Sequence, residues 1–125
     1  MDFQIGDIIL SNYKDFKGDD QYGLFMVIYD EKLDVDNGCN LNLTCIKITT
    51  QTHDNYKYYY ELKQGEGNLN QDCRACCSKV YTLHKGQVSR VTGHLPNSKI
   101  YDIMSMYNKY QLALQNQIMR KLGGL

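Results

Sequence analysis

The sequence predicts a mainly β domain of five to six strands followed by a C-terminal amphipathic helix. Short runs rich in β-branched and aromatic residues recur through residues 3–95, separated by clusters of Gly, Asn and Asp. After Pro96 the apolar residues recur at intervals of three and four, which is typical of a helix. One β-rich barrel closed by a helix is the simplest architecture that covers both kinds of apolar face.

Six segments have the length and composition of β-strands. The first is residues 3–10, and the polar residues 11–20 after it indicate an exposed loop. Residues 22–29 form an almost unbroken apolar run, which is typical of a strand buried on both faces. The other strands are expected at residues 43–50, 56–62, 75–83 and 88–95.

The helix is expected over residues 98–121. Asn97 or Ser98 could cap its N-terminus, and Gly123-Gly124 could end it. The apolar stripe favours docking on the domain's own sheet. Met104, Met106, Leu112 and Met119 widen that stripe, so dimerisation or a partner is the alternative use of the extra surface.

Length and charge bound the class of protein. A chain of 125 residues is expected to form one domain spanning residues 1–125. The net charge is zero, which disfavours extensive phosphate neutralisation, whereas the 11 Tyr could stack on bases or form a protein interface. No apolar run approaches the roughly 18–20 residues that span a bilayer, and the start lacks a secretory pattern. A cytoplasmic protein without membrane contact is therefore expected.

The five cysteines predict reduced thiols rather than a cofactor site. Cys45 lies in an apolar run and is expected to pack as a small hydrophobe. Cys73, Cys76 and Cys77 contain a CxxC, a spacing that zinc sites use together with a second ligand pair. We expect no metal and no cofactor, with a zinc-binding module as the alternative.

The end of the third predicted strand carries the polar groups best suited to a site. Thr49, Thr50 and Gln51 follow a buried strand, where small polar groups are held rigidly within reach of substrate. Ordinary strand-end turn chemistry is the structural alternative. His53 follows closely and could titrate near neutrality. Tyr56 and Tyr58 could stack on unpaired bases or pack within the sheet.

Five segments in order resemble the MazF/PemK family of small toxins. They are Gly6-Asp7-Ile8-Ile9, Lys17-Gly18, Cys45-Ile46-Lys47-Ile48-Thr49-Thr50-Gln51, Val80-Tyr81-Thr82-Leu83 and Val91-Thr92-Gly93-His94-Leu95. The resemblance implies a small SH3-like barrel that is usually a homodimer, with single-stranded RNA crossing a groove at the dimer interface. It also implies metal-independent RNA cleavage and an antitoxin partner.

The same resemblance implies which residues would act on RNA. The family's Thr at the end of the third strand carries over onto Thr50, whereas its Arg on the second strand falls at Gly23, which has no cationic group. Arg74 is the neighbouring candidate for a second family position, so Thr50 and Arg74 are the catalytic candidates. The expected nucleic-acid or partner contacts are Lys17, Lys47, Thr49, Gln51, His53, Tyr56 and Tyr58.

Two functional hypotheses follow from these residues. The first is a toxin-type endoribonuclease acting on single-stranded RNA. The second is a non-catalytic inhibitor on the same scaffold, encoded by a phage or mobile element, that occupies the nucleic-acid groove of a host defence nuclease of the kind targeted by anti-CRISPR or anti-restriction proteins. Zero net charge and the acidic residues between positions 30 and 36 favour the second, because they would attract a basic protein surface.

Overall fold

The computed structural model describes residues 2–34, 36, 38–50 and 57–123, which form six strands and one long helix. The helix, α1, is Asn97–Lys121, close to the expected span. The strands in chain order are β1 (Asp7–Lys14), β2 (Asp20–Asp30), β3 (Asn42–Thr49), β4 (Tyr59–Leu62), β5 (Cys73–His84) and β6 (Val88–His94).

The six strands form one antiparallel sheet in the order β4-β5-β3-β2-β1-β6. Its two edges approach each other through the loop after β4. Asn68 Nδ2 in that loop donates to the Thr92 carbonyl of β6 at 3.1 Å, and Gly67 packs against Gly93. The sheet therefore curls into a small barrel with a C-terminal helix, which confirms the predicted fold class.

β2 and β3 are buried on both faces, as the apolar run at residues 22–29 predicts. Alternate side chains of a strand point to opposite faces, so the two strands contribute to two cores. The helix-side core includes Ile8, Met26, Ile28, Ile46, Ile48, Leu62, Leu95 and Ile103. The outer core includes Phe3, Ile9, Phe25, Val27, Leu43, Cys45 and Leu83, so Cys45 packs as the small hydrophobe that the sequence predicts.

The first half of α1 docks on the sheet. Ile103 is fully buried, Tyr60 Oη donates to Asp102 Oδ2 at 3.1 Å, and the rings of Tyr58 and Tyr110 meet edge to face at 5.5 Å. Beyond Tyr110 the apolar side chains of the helix are largely exposed. Of the residues that the structure describes, none lies in a helix long and apolar enough to cross a membrane.

The start of the chain differs from the sequence prediction. β1 begins at Asp7 rather than residue 3, because Gly6 turns the backbone at φ +95°. β1 then continues through Lys14, where an exposed loop was expected. Cross-strand pairing explains this extension: Lys14 lies opposite Asp20 and contacts its carboxylate at 2.6 Å. Local polarity alone does not reveal such pairing.

The expected cap of the helix was wrong, and the zinc-binding alternative gains no support from the CxxC. Neither Asn97 nor Ser98 caps α1, because the cap position is Pro96 and no side chain bonds there. The backbone amides of residues 99 and 100 instead bond the Pro96 carbonyl. The CxxC does not form a ligand pair, because Cys73 and Cys76 lie three residues apart on one strand and hence on opposite faces.

Asp30 closes β2 with a buried ion-pair cluster. Its side chain is 1% exposed, and its Oδ1 lies 2.7 Å from Lys85 Nζ while Oδ2 lies 3.6 Å from Lys32 Nζ. Burial acts to raise the pKa of Asp30, but hydrogen bonds from Lys85 and the Lys32 amide, with both positive charges, outweigh it and lower the pKa. This acidic residue is therefore structural.

Lowering the pH should weaken this cluster. Because the folded pKa of Asp30 lies below the ordinary value of 3.8, its stabilisation is complete above that value and is lost as pH falls through the folded pKa. We expect Asp30→Asn to lose less stability than the wild type between pH 5 and pH 2 in urea denaturation. Asp20→Asn, in an exposed pair, is the control, and identical acid profiles for Asp30→Asn and wild type would contradict the assignment.

Candidate functional site

A cleft of about 690 Å³ opens on the outer face of the sheet, between the β1–β2 hairpin and β5. β5 is bent there: its pairing with β3 jumps from Val80 opposite Ile46 to Cys76 opposite Lys47. The described residues that line the cleft are Tyr13, Asp15, Phe16, Leu24, Lys47, Ile48, Thr49, Thr50, Ser78, Lys79, Val80 and Tyr81. The expected residues Lys47, Thr49 and Thr50 thus share one cavity.

Lys47 is the half-buried cation of this cleft. Its Nζ lies 5.3 Å from the centroid of the Tyr13 ring and 5.0 Å from that of Phe25, and it donates to the Ile48 carbonyl at 3.0 Å. No carboxylate within the described chain pairs with it. Burial lowers the pKa of Lys47, and the nearby Lys79 charge acts in the same direction. The ammonium is therefore poorly solvated and retains donors for an anionic ligand.

Three aromatic rings support the Lys47 side chain. Tyr13, Phe25 and Tyr81 contact one another edge to face, with centroid separations of 5.3, 5.5 and 5.3 Å. Such packing gives the rings fixed positions, and their negative faces attract a cation. The sequence analysis missed Tyr13 because it placed this residue in a loop. The polar residues on both sides of Tyr13 gave no local signal that it belongs to a strand.

Gly23 leaves the space that the Lys47 ammonium occupies. A Cβ at Gly23 would lie 2.6 Å from Lys47 Nζ and 2.9 Å from Tyr13 Cε1. The position that the family resemblance assigns to an arginine is therefore adjacent to a cation carried by the neighbouring strand. Only a residue without a side chain fits beneath that ammonium in this arrangement.

Arg74 lies on the same sheet face as Thr49 and Lys47, because it pairs with Thr49 across β3 and β5. Its side chain is 18% exposed, and its Nη2 lies 3.6 Å from Glu61 Oε1. Its guanidinium also stacks on Tyr59 at 4.2 Å. Arg74 is thus close to the strand end but already engaged by a carboxylate and a ring.

Thr50 lies where three cavities meet. It lines the Lys47 cleft, a second cavity of about 550 Å³ and a smaller one of about 160 Å³ that also contacts Arg74. Its side chain is exposed. The catalytic candidates Thr50 and Arg74 therefore line one cavity, and Thr50 and Lys47 line another.

The tip of the β1–β2 hairpin carries an aromatic residue that the sequence analysis missed. Phe16 is 95% exposed and lines the cleft, with Lys17 Nζ 5.7 Å from its ring centroid. The turn is fixed by Asp15 Oδ1, which accepts from the amides of Lys17 and Asp19, each at 2.9 Å. A lone Phe within a polar turn was the signal for this position.

One described candidate is not brought to the cleft. Tyr58 faces the helix side of the sheet, against Tyr110. Gln51, His53 and Tyr56 lie outside the described residues. A carboxylate–histidine pair that the sequence did not reveal forms elsewhere, with His94 Nδ1 2.9 Å from Asp7 Oδ1. In the part of the chain that the structure describes, no three His, Cys, Asp or Glu side chains are placed to hold a metal ion.

Comparison with known proteins identifies the family. The profile described as "PemK-like, MazF-like toxin of type II toxin-antitoxin system" matches residues 4–109. The chain belongs to this PemK/MazF-like toxin family. No curated protein matches the sequence significantly.

Solved structures of MazF-type toxins share the PemK/MazF-like fold. The Mycobacterium tuberculosis toxin MazF-mt6 superposes with a TM-score of 0.63 at 17% identity, over 82% of this chain and 93% of that chain. An endoribonuclease from a mycobacterial species, in complex with its cognate antitoxin, superposes with a TM-score of 0.62 at 10% identity, over 83% of this chain and 89% of that chain. The structure of an Mtb toxin superposes with a TM-score of 0.57 at 18% identity, over 70% of this chain and 90% of that chain. At these identities the likeness establishes the fold.

Proposed function

We propose that this PemK/MazF-like protein is a metal-independent endoribonuclease that cleaves single-stranded RNA in the Lys47 cleft. The observation that carries the proposal is the Lys47 ammonium, which lies over Gly23 between two rings without a carboxylate partner in the described chain. A buried cation beside exposed hydroxyl groups is the arrangement that a phosphodiester requires. The endoribonuclease of similar fold supports the same activity.

The reaction assigns a role to each group. The ribose 2′ hydroxyl attacks the adjacent phosphorus, forming a 2′-O–P bond while the P–O5′ bond breaks. Water accepts the proton of the 2′ hydroxyl and water supplies a proton to the 5′ oxygen, leaving a 2′,3′-cyclic phosphate and a 5′ hydroxyl. Lys47 stabilises the charge that develops on the phosphoryl oxygens, and Thr50 donates a hydrogen bond that positions them. Arg74, beyond Thr50, adds positive potential.

Exposed groups at the hairpin tip suit the rest of the RNA chain. Phe16 provides an accessible ring on which an unpaired base can stack, and Lys17 and Lys79 supply charge near the backbone. Asp15 also lines the cleft, but its Oδ1 accepts from the Lys17 and Asp19 amides, and Asp20 is paired with Lys14 at 2.6 Å. Local positive charge at the cleft is thus compatible with a net charge of zero.

The proposal includes a homodimer and a cognate antitoxin as partners. The structure with TM-score 0.62 is an endoribonuclease bound to its antitoxin, and exposed apolar side chains on the second half of α1 offer surface for a partner. The inhibitor alternative gains no support from the comparisons. Asp30, one of its acidic residues, is moreover buried and paired with lysines.

The direct test is incubation of purified protein with a long RNA in EDTA. We expect cleavage by the wild type, and a decrease of roughly tenfold or more for Thr50→Val, which removes the hydroxyl but keeps the branched shape. Thr50→Ser, which keeps the hydroxyl, should retain most activity. Absence of cleavage by the wild type would reject the function. Equal activity of the Val and Ser variants would reject the role of Thr50.

A further inference from the structure

A second cavity adjoins the Lys47 cleft and has no part in the phosphate chemistry above. Its volume of about 550 Å³ falls within the range of about 300–1,000 Å³ that is typical of small-ligand sites. Leu24 and Thr50 line both cavities. A polymer that places a phosphate at Thr50 therefore passes directly from one cavity into the other.

The second cavity has an apolar floor and a polar rim. We call the lining side chains of Leu10 and Leu24, which pair across β1 and β2, the floor, and the lining side chains of Asn70, Gln71 and Arg90 the rim. All three rim residues are exposed, and within the described residues their side chains have no hydrogen bond or ion pair. No acidic residue is among the described lining residues. The rim therefore offers unused amide and guanidinium groups around an apolar surface.

The loop between β4 and β5, which carries the rim residues Asn70 and Gln71, is rigidly anchored. Gly67 packs directly on Gly93 of β6, and Asn68 adopts φ +61° while its Nδ2 holds the Thr92 carbonyl. Leu69 is 5% exposed within the helix-side core. A non-glycine residue held at positive φ indicates a loop that its surroundings determine. The backbone at Asn70 and Gln71 is thus fixed before any ligand arrives, which lowers the entropy that the loop loses on binding.

We propose that this cavity binds an unpaired purine base of the RNA, next to the phosphate at Thr50. A planar base can lie on the apolar floor while its edge meets the rim. Arg pairs with two acceptors of guanine, and Asn or Gln pairs in a bidentate manner with adenine. A purine fits better than a pyrimidine, because its larger ring covers more of the apolar floor and offers N7 as an additional acceptor. The choice of RNA as polymer rests on the proposed function.

Binding of RNA that cannot be cleaved tests this assignment independently of activity. Short single strands of pyrimidine nucleotides, with 2′-deoxy sugars and one purine at varied positions, can be titrated by fluorescence anisotropy. We expect one purine to raise wild-type affinity roughly tenfold, and Arg90→Ala and Gln71→Leu to abolish that gain. Arg120→Ala, on the exposed end of α1, should keep it. The assignment would be overturned if the purine did not raise the affinity of the wild type, or if Arg90→Ala and Gln71→Leu still bound the purine-containing strand more tightly.

Mapping of cut sites in a long RNA separates the two proposals. If the wild type cleaves and Arg90→Ala cuts the same positions at the same relative rates, the base pocket is rejected while the ribonuclease assignment stands. If the wild type does not cleave but shows purine binding that depends on Arg90, the ribonuclease assignment is rejected while the pocket stands.

Discussion

Replacing Lys47 by Met is expected to reduce RNA cleavage roughly 100-fold or more, the usual consequence of removing a preorganised group that stabilises transition-state charge. The same substitution should leave the melting temperature unchanged or raise it. Burial lowers the pKa of Lys47 below its ordinary value of 10.5, so folding disfavours the protonated form. The fold therefore bears this penalty at pH values below the lowered pKa, and loses it progressively as pH rises through that pKa towards 10.5. Methionine removes it.

Two controls distinguish lost charge from lost packing. Lys47→Arg keeps the positive charge and should retain more activity than Lys47→Met. Lys109→Met changes an exposed helix lysine and should affect neither cleavage nor melting. Initial cleavage rates in EDTA and thermal denaturation measure both properties. A Lys47→Met protein with wild-type activity would remove Lys47 from the mechanism.

Replacing Gly93 by Ala is expected to destabilise the protein by roughly 3 kcal/mol or more, the upper part of the range for overpacking. The new Cβ would lie 2.5 Å from the Gly67 carbonyl carbon and closer still to its oxygen. Backbone atoms cannot move aside as a side-chain end can. The contact between β6 and the loop after β4, which closes the barrel, would have to open. Urea denaturation at neutral pH measures the loss of unfolding free energy.

Gly23→Ala provides the matched comparison. The atoms in the way at Gly23 are Lys47 Nζ and Tyr13 Cε1, of which the first ends a flexible chain. Because the Tyr13 ring, packed on Phe25 and Tyr81, must also shift, we expect a loss of about 1–2 kcal/mol at Gly23, smaller than at Gly93, with reduced cleavage because the ammonium is displaced. Equal unfolding free energies for Gly93→Ala and Gly23→Ala would show that the barrel closure tolerates a side chain.

Periodicity predicts the scaffold well because burial determines it. The run at residues 22–29 becomes the doubly buried strand β2, and the stripe after Pro96 becomes α1. The failures occur where pairing between distant segments decides the outcome. Residues 11–14 are polar, yet they form a strand because residues 20–23 pair with them. No local pattern contains that information.

The site was only partly predictable for the same reason. Thr49, Thr50, Lys47 and Arg74 could be named from the end of one strand and from the family resemblance. The proximity of Lys47 to Gly23 could not be predicted, because it depends on how β3 pairs with β2 and on which face each side chain lies. Phe16 and Gln71 were missed because single residues in turns have no periodicity. Arg90 was missed because its place beside the second cavity depends on the pairing of β6 with β1.

The position of the second half of α1 limits how a binding partner could inhibit the proposed activity. Residues 111–121 continue past the last sheet contact for about 16 Å, at 1.5 Å per residue. They extend from the face of the barrel opposite the one that carries Lys47. A protein that bound only residues 111–121 would leave the Lys47 ammonium accessible to RNA. To cover the Lys47 cleft as well, the same inhibitor would need a second segment that reaches around the barrel. Binding to α1 and blocking the cleft would then depend on different parts of that inhibitor.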